Sequence, residues 1–146
     1  MEEEFEDDMK WSRATFRIFG DSLGLEEVTS SLGIQATSSG LKGEILSSSR
    51  LKKPLRTSIW RLASPLNTEQ PLEDHLNWLL DVLEPKSDVV SKLAKEFDVD
   101  FFCGFSSANG QGGFTLDPAL LARLARLTVP LFLDLYPPGP ITLESD

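Results

Sequence analysis

The sequence predicts an α+β fold: a ferredoxin-like sandwich with helices packed on one face of an antiparallel sheet, built as two β-α-β halves with extra helices between them. Three observations predict it. Segments of period two alternate with segments of helical period along the chain. Their order is strand, helix, strand, helices, strand, helix, strand. The leucine spacing of Leu23–Ile34 is echoed faintly in Leu116–Leu127, each stretch leading into a helix beside a strand. A doubly wound parallel sheet is the less favoured alternative, because four unevenly spaced strands leave little to cover two faces.

The elements follow in order. Ala14 to Phe19 alternates Thr15, Arg17 and Phe19 against Ala14, Phe16 and Ile18, the mark of a strand. Gly20-Asp21-Ser22 breaks it. Leu25, Val28 and Leu32 recur at helical spacing, and Gly33 stands where a left-handed cap belongs. Gln35 to Arg56 is rich in Ser, Gly and Lys and reads as a long loop, with a short strand near Gly43 to Leu46. Thr57 to Ala63 resumes alternation. Asn67 or Thr68 is placed to cap the clearest helix, whose stripe is Leu72, Leu76, Leu79, Leu80 and Leu83. Pro85 stops it, and a second helix restarts at Lys86 with Val89, Val90, Leu93 and Phe97 inward. Val99 to Phe105 is a buried strand, and Ser106 to Gly113 a glycine-rich turn. Asp117-Pro118 opens the last helix as a cap and a first-turn proline. Val129 to Tyr136 is the last strand. Residues 1–11 form an acidic lead-in, 12–136 a single domain, and 137–146 a proline-rich tail.

Composition removes several functions. The chain has 146 residues, 14 Lys and Arg against 23 Asp and Glu, one His and one Cys. A net charge of −9 argues against nucleic acid, whose phosphates want a basic face. One Cys and one His exclude an internal disulfide and any multi-imidazole or multi-thiolate metal site. No apolar run is long enough to span a membrane, and the acidic start is unlike a signal peptide. The expected location is the cytoplasm, with no cofactor and no metal.

Several pieces together are similar to a known family: Phe16-Arg-Ile-Phe-Gly-Asp, Leu32-Gly-Ile34, Lys42-Gly43, Trp60-Arg-Leu-Ala-Ser64, Leu72-Glu-Asp-His-Leu-Asn-Trp-Leu-Leu80, Leu83-Glu-Pro85 and Gly112-Gly-Phe-Thr-Leu116. In that order and spacing, across residues 14–136, the chain resembles the bacterial domain-of-unknown-function family DUF4279. Ala36 departs from the resemblance, which has a proline in the Leu-Gly-Ile-x-Pro stretch. The resemblance implies one α+β domain in a cytoplasmic bacterial protein and no reaction.

No catalytic constellation is visible. Cys103 sits on the apolar face of a strand with Asp98 and Asp100 nearby, a setting for a packed thiol rather than a nucleophile. His75 lies on a helix flank, where a surface or boundary role is expected. Gly110-Gln-Gly-Gly precedes a helix, but Asp117 occupies the cap where a phosphate would sit. One charge feature stands out: Lys42 to Arg61 holds six basic residues against Glu44 alone. Lys42, Arg50, Lys52, Lys53 and Arg56 therefore form a candidate partner-binding loop, with Trp60 as an aromatic anchor; the alternatives are that the loop screens the protein's own acids and that Trp60, like Trp78, is a core-edge residue, since both lie on patterned elements.

The function expected first is a non-enzymatic protein-interaction module, of which an immunity-type protein binding a basic partner is one version. The second is a small-ligand-binding or sensor domain using the sheet or a dimer interface, with Phe102, Phe114 and Phe132 lining the site if they lie on an exposed sheet face. An enzyme using carboxylates alone ranks last. Self-association is open, since a free sheet edge can pair two chains.

Overall fold

The computed structural model describes residues 10–46, 52–107 and 113–136. The expectations for the acidic lead-in, the proline-rich tail and most of the glycine turn fall outside them. Five strands form one sheet: β1 (Lys10–Gly20), β2 (Ser38–Gly40), β3 (Ser58–Ala63), β4 (Asp98–Ser107) and β5 (Leu131–Tyr136). Four helices accompany them: α1 (Leu25–Leu32), α2 (Leu72–Leu83), α3 (Ser87–Glu96) and α4 (Pro118–Leu127).

The strand order is β2-β3-β1-β4-β5. β1 pairs antiparallel with β3 and with β4, β2 antiparallel with β3, and β4 parallel with β5. The class is α+β as expected, but the sheet is mixed rather than antiparallel. The two halves differ in kind. β3 lies between β1 and β2, splitting the first β-α-β unit, while β4 and β5 are direct neighbours joined through α4. Parallel neighbours need a crossover connection, and α4 supplies it.

One face of the sheet meets the helices. Ala14, Phe16 and Ile18 of β1, Trp60 and Leu62 of β3 and Phe101 and Cys103 of β4 join the helix leucines in one core. Phe16 sits at its centre, 5.5 Å from the Phe101 ring and 6.4 Å edge-on from Trp60. α2 buries Leu72, Leu76, Leu79, Leu80 and Leu83, the stripe that spacing predicts. Burying a leucine removes about 2 kcal/mol worth of apolar surface from water, so this stripe holds α2 on the sheet.

Local chemistry explains the helix ends. Gly33 adopts φ 70° and closes α1 as expected. The Asp117 carboxylate accepts the Leu120 N–H at 2.9 Å and caps α4. At α2 the expectation fails: Pro71 holds the cap position, and Asn67 instead accepts the Glu69 N–H in the preceding turn. Pro85 does not end the helical path, because a 3-10 turn over Glu84–Lys86 needs no amide from it and carries the chain into α3. The short strand in the long loop is Ser38–Gly40, ahead of the Gly43 to Leu46 expected. β1 starts at Lys10, four residues before the alternation was strong, so Lys10 and Trp11 belong to the sheet.

Arg123 fastens α4 across the helix layer. It donates to Glu84 at 2.9 Å through Nε and again through Nη2, to Asn77 at 2.7 Å and to Asp81 at 2.7 Å. This guanidinium holds the Glu84 carboxyl below its ordinary range, and the two carboxylates raise the Arg123 pKa in return.

Candidate functional site

The face of the sheet away from the helices carries the unusual chemistry. Alternation along each strand puts Trp11, Arg13, Thr15, Arg17 and Phe19 of β1 there. Register then aligns side chains in rows across the strands. Trp11 lies opposite Ser106, which lies opposite Tyr136. Thr15 lies between Ala63 and Phe102, and Phe102 is beside Phe132. Arg17 lies between Arg61 and Asp100, and Arg61 is opposite Ser38.

The rings and guanidinium groups on this face are in contact. Phe102 and Phe132 are 5.5 Å apart, and Trp11 and Tyr136 are 5.3 Å apart. The Arg17 guanidinium carbon is 4.2 Å above Phe102, 4.8 Å from Phe19 and 5.7 Å from Phe132. Arg13 stacks on Trp11 at 4.7 Å. Gly104 makes room for the indole: a Cβ there would lie 3.0 Å from the Trp11 ring. Stacked cations and rings of this kind attract by the ring quadrupole.

Arg13, Arg17 and Arg61 share this face with Asp98, Asp100 and Asp134. Asp100 takes two hydrogen bonds from Arg17, 2.8 Å from Nε and 2.7 Å from Nη2, with both side chains four-fifths buried. Arg61 stands beside Arg17 and donates to the Ser38 hydroxyl at 3.3 Å. Burial and the neighbouring Arg17 charge pull the Arg61 pKa below its ordinary value. Arg17 thus takes both oxygens of the Asp100 carboxylate, and Arg61 is left with a hydroxyl. The arrangement favours a further anion at Arg61.

The basic loop adjoins this face at the β2–β3 side. Gly43 N–H donates to Leu55 and Leu55 N–H to Glu44, at 2.9 and 2.8 Å, which closes its base. A Cβ on Gly40 would lie 2.7 Å from Leu55 and 2.9 Å from Leu46, so these side chains cover that end of the sheet. Lys42 pairs with Asp21 at 3.1 Å, and the Thr57 and Lys42 side chains hold the Asp21 carboxyl below its usual range. Lys52, Lys53 and Arg56 are exposed. Arg50 lies outside the described residues. Trp60 is not an anchor at the surface: it is fully buried, and its Nε1–H donates to Thr29 Oγ1 at 3.0 Å. It falls on the core face because Arg61, one residue on, takes the open one.

Of the three phenylalanines considered for a sheet-face site, Phe102 and Phe132 are there together. Phe114 is elsewhere, 5.1 Å from Phe105. The arginine pair, Trp11 and Tyr136 were missed. Two-residue alternation assigns Trp11, Arg13 and Arg17 to one face, but which arginine meets which ring depends on register between strands remote in sequence.

The candidate reactive groups are enclosed. Cys103 is buried, which together with Asp100 pushes its thiol up to about 12. His75 is fully buried rather than on a flank; its Nδ1 is 2.8 Å from Ser64 Oγ and Nε2 has no partner among the described residues. Burial pulls the His75 pKa down. No helix among the described residues is long and apolar enough to cross a membrane.

These features define a small α+β domain with a helix-covered core on one side of its sheet and an aromatic–arginine face on the other. A protein-family model described as Domain of unknown function (DUF4279) matches residues 9–138, and the chain belongs to that family. No curated protein and no solved structure matches it.

Proposed function

We propose that this chain is a non-enzymatic protein-interaction module, that its docking surface is the open sheet face with the adjoining basic loop, and that its partner presents carboxylate side chains. The observation that supports the reading is the row Ser38–Arg61–Arg17–Asp100, in which the one carboxylate is taken by Arg17 and the Arg61 guanidinium has, among the described residues, only the Ser38 hydroxyl. A partner carboxylate on Arg61 relieves the Arg17–Arg61 repulsion and forms a charge-assisted pair against a half-dry surface. Phe102, Phe132, Trp11 and Tyr136 supply apolar area around it, and Arg, Trp and Tyr are the residues that dominate binding energies at interfaces. Lys53 and Arg56 extend the positive field from the loop. On the open face Arg13, Arg17 and Arg61 are matched by Asp98, Asp100 and Asp134, while the described helices carry Glu26, Glu27, Asp88 and Glu96 on exposed positions of the other layer, so the sheet face does not share the acidic excess behind the net charge of −9. This reading moves the expected partner from basic to acidic. The buried Cys103 and His75 favour a non-enzymatic role.

A photo-crosslinking amino acid placed at Arg13 and at Phe132, and separately at Asp88 and Lys92 of α3, tests it in cells of the native host. The expected result is one protein crosslinked from both sheet positions and from neither helix position. Crosslinks from the helix positions alone, or none from the sheet, contradict the proposal.

A further inference from the structure

The sheet ends at an unfinished edge. β5 pairs with β4 alone among the described strands, and the Phe101 N–H donates to the Pro130 carbonyl at 2.9 Å. In a parallel pair alternate residues bond to the same neighbour. Phe132, Asp134 and Tyr136 therefore turn their amides to β4, and Leu131, Leu133 and Leu135 turn theirs outward. The side chains are bare on both sides of the sheet. Phe132 is 51% and Tyr136 40% exposed on the open face; Leu133 is 42% and Leu135 60% exposed on the helix side. Sheet edges are ordinarily blunted by lysine, proline, a bulge or a cover. Residues 131–136 hold no Lys, Arg or Pro, and Asp134 is the one charge. The opposite edge is different: β2 is three residues, Ser38–Gly40, with no apolar side chain.

We propose that the β5 edge is the site of self-association, pairing antiparallel with β5 of a second copy about a two-fold axis at Leu133 and joining two five-stranded sheets into one. The edge is complementary to itself in one register. A two-fold normal to the sheet keeps the open faces on one side, so odd residues meet odd residues. With the axis at Leu133, Leu131 faces the partner's Leu135 and Leu133 faces the partner's Leu133. Every outward amide and carbonyl of the three leucines then finds a mate, and leucine packs on leucine. Asp134 faces the partner's Phe132. An axis at Asp134 instead opposes two carboxylates and sets Leu131 against the partner's Pro137, which has no N–H. An axis at Phe132 sets Leu135 against the partner's Val129, which precedes the strand.

The exposed parts of these side chains amount to on the order of 400 Å² per chain, below the roughly 800 Å² per partner of a standard interface. Pairing is therefore reversible and in the micromolar range or weaker. A net charge of −9 repels a copy at long range, so added salt strengthens the pairing.

Sedimentation velocity on the full chain, from low micromolar to about 0.5 mM, is the first test. The expected result is a monomer–dimer equilibrium that shifts towards dimer between about 20 and about 300 mM NaCl. Leu133→Lys is expected to stay monomeric throughout with an unchanged unfolding midpoint, since the position is half exposed. The register is tested by oxidation: Leu133→Cys gives a covalent dimer, because opposed bonded residues sit about 5.5 Å apart. Phe132→Cys and Asp134→Cys do not, because each lies beyond the about 7 Å reach of a disulfide from its own copy. A wild-type monomer at every concentration, or faster crosslinking at 132 or 134 than at 133, overturns the proposal. So does slow hydrogen exchange at the Leu131, Leu133 and Leu135 amides in dilute monomer, which assigns the edge to a segment of the same chain.

Discussion

Replacing Asp100 by Asn removes the carboxylate that the arginine row depends on. Two effects follow. The bidentate pair to Arg17, at 2.8 and 2.7 Å, loses its charge. Arg17 is then left across from Arg61 with no opposing charge in the row. Exposed ion pairs contribute about 0–1 kcal/mol, and removing one partner of a fully buried pair costs about 3–5 kcal/mol. The Arg17 and Asp100 side chains are 20% and 16% exposed, which places Asp100→Asn between those limits, at about 2 kcal/mol. Urea unfolding at pH 7, followed by tryptophan fluorescence with the fully buried Trp60 as reporter, reads the loss. Because part of it is like-charge repulsion, the loss shrinks as NaCl is raised. Adding Arg17→Met to Asp100→Asn recovers at least half of it. A loss under about 0.5 kcal/mol, or a double variant no more stable than Asp100→Asn, refutes the electrostatic reading of the row.

Three further outcomes are expected. His75 is neutral in the folded protein and its pKa is lowered by burial, so protons bind the unfolded chain preferentially; relative to His75→Gln, wild-type stability is full above the ordinary histidine pKa of about 6.5 and falls below it, as urea midpoints at several pH values should show. The Cys103 thiol, at about 12 and buried, reacts with a thiol reagent at neutral pH only as fast as the protein opens, and at once in denaturant. Thr128 caps α4 with φ 57°, a left-handed conformation costly for a β-branched residue. Thr128→Gly should therefore gain about 0.5–1 kcal/mol in thermal or urea unfolding, with Asp117→Ala losing about 1 kcal/mol at the other end.

Much of this fold is written locally. The leucine stripe of α2, the Gly33 cap and the Asp117-Pro118 start can each be read from a few neighbouring residues, and each is where spacing puts it. What failed depends on distance along the chain. The mixed sheet arises because β5 joins β4 at the edge, a choice made by contacts between strands and not by either strand's pattern. Ser38–Gly40 has no apolar side chain and pairs with β3 chiefly through backbone, so no alternation marks it as a strand. His75 reads as polar beside Asp74, yet its ring is drawn inside by Ser64, eleven residues earlier. The site divides the same way. The basic loop was visible as a run of charge. The Arg61–Arg17–Asp100 row was not, since its three members lie on three strands and meet only through register.

The most direct test of the recognition face uses the crosslinked protein once purified, titrated calorimetrically against wild type, Arg61→Ala and Asp88→Ala. Arg61→Ala is a clean probe, because it removes a like charge from beside Arg17 and gives up only the 3.3 Å bond to Ser38. The sheet-face account predicts a loss of about tenfold or more in affinity for Arg61→Ala, as truncating an interfacial arginine commonly costs, and no change for Asp88→Ala. Unchanged affinity in Arg61→Ala, with weakened binding in Asp88→Ala, contradicts it and moves the docking surface to the helix layer.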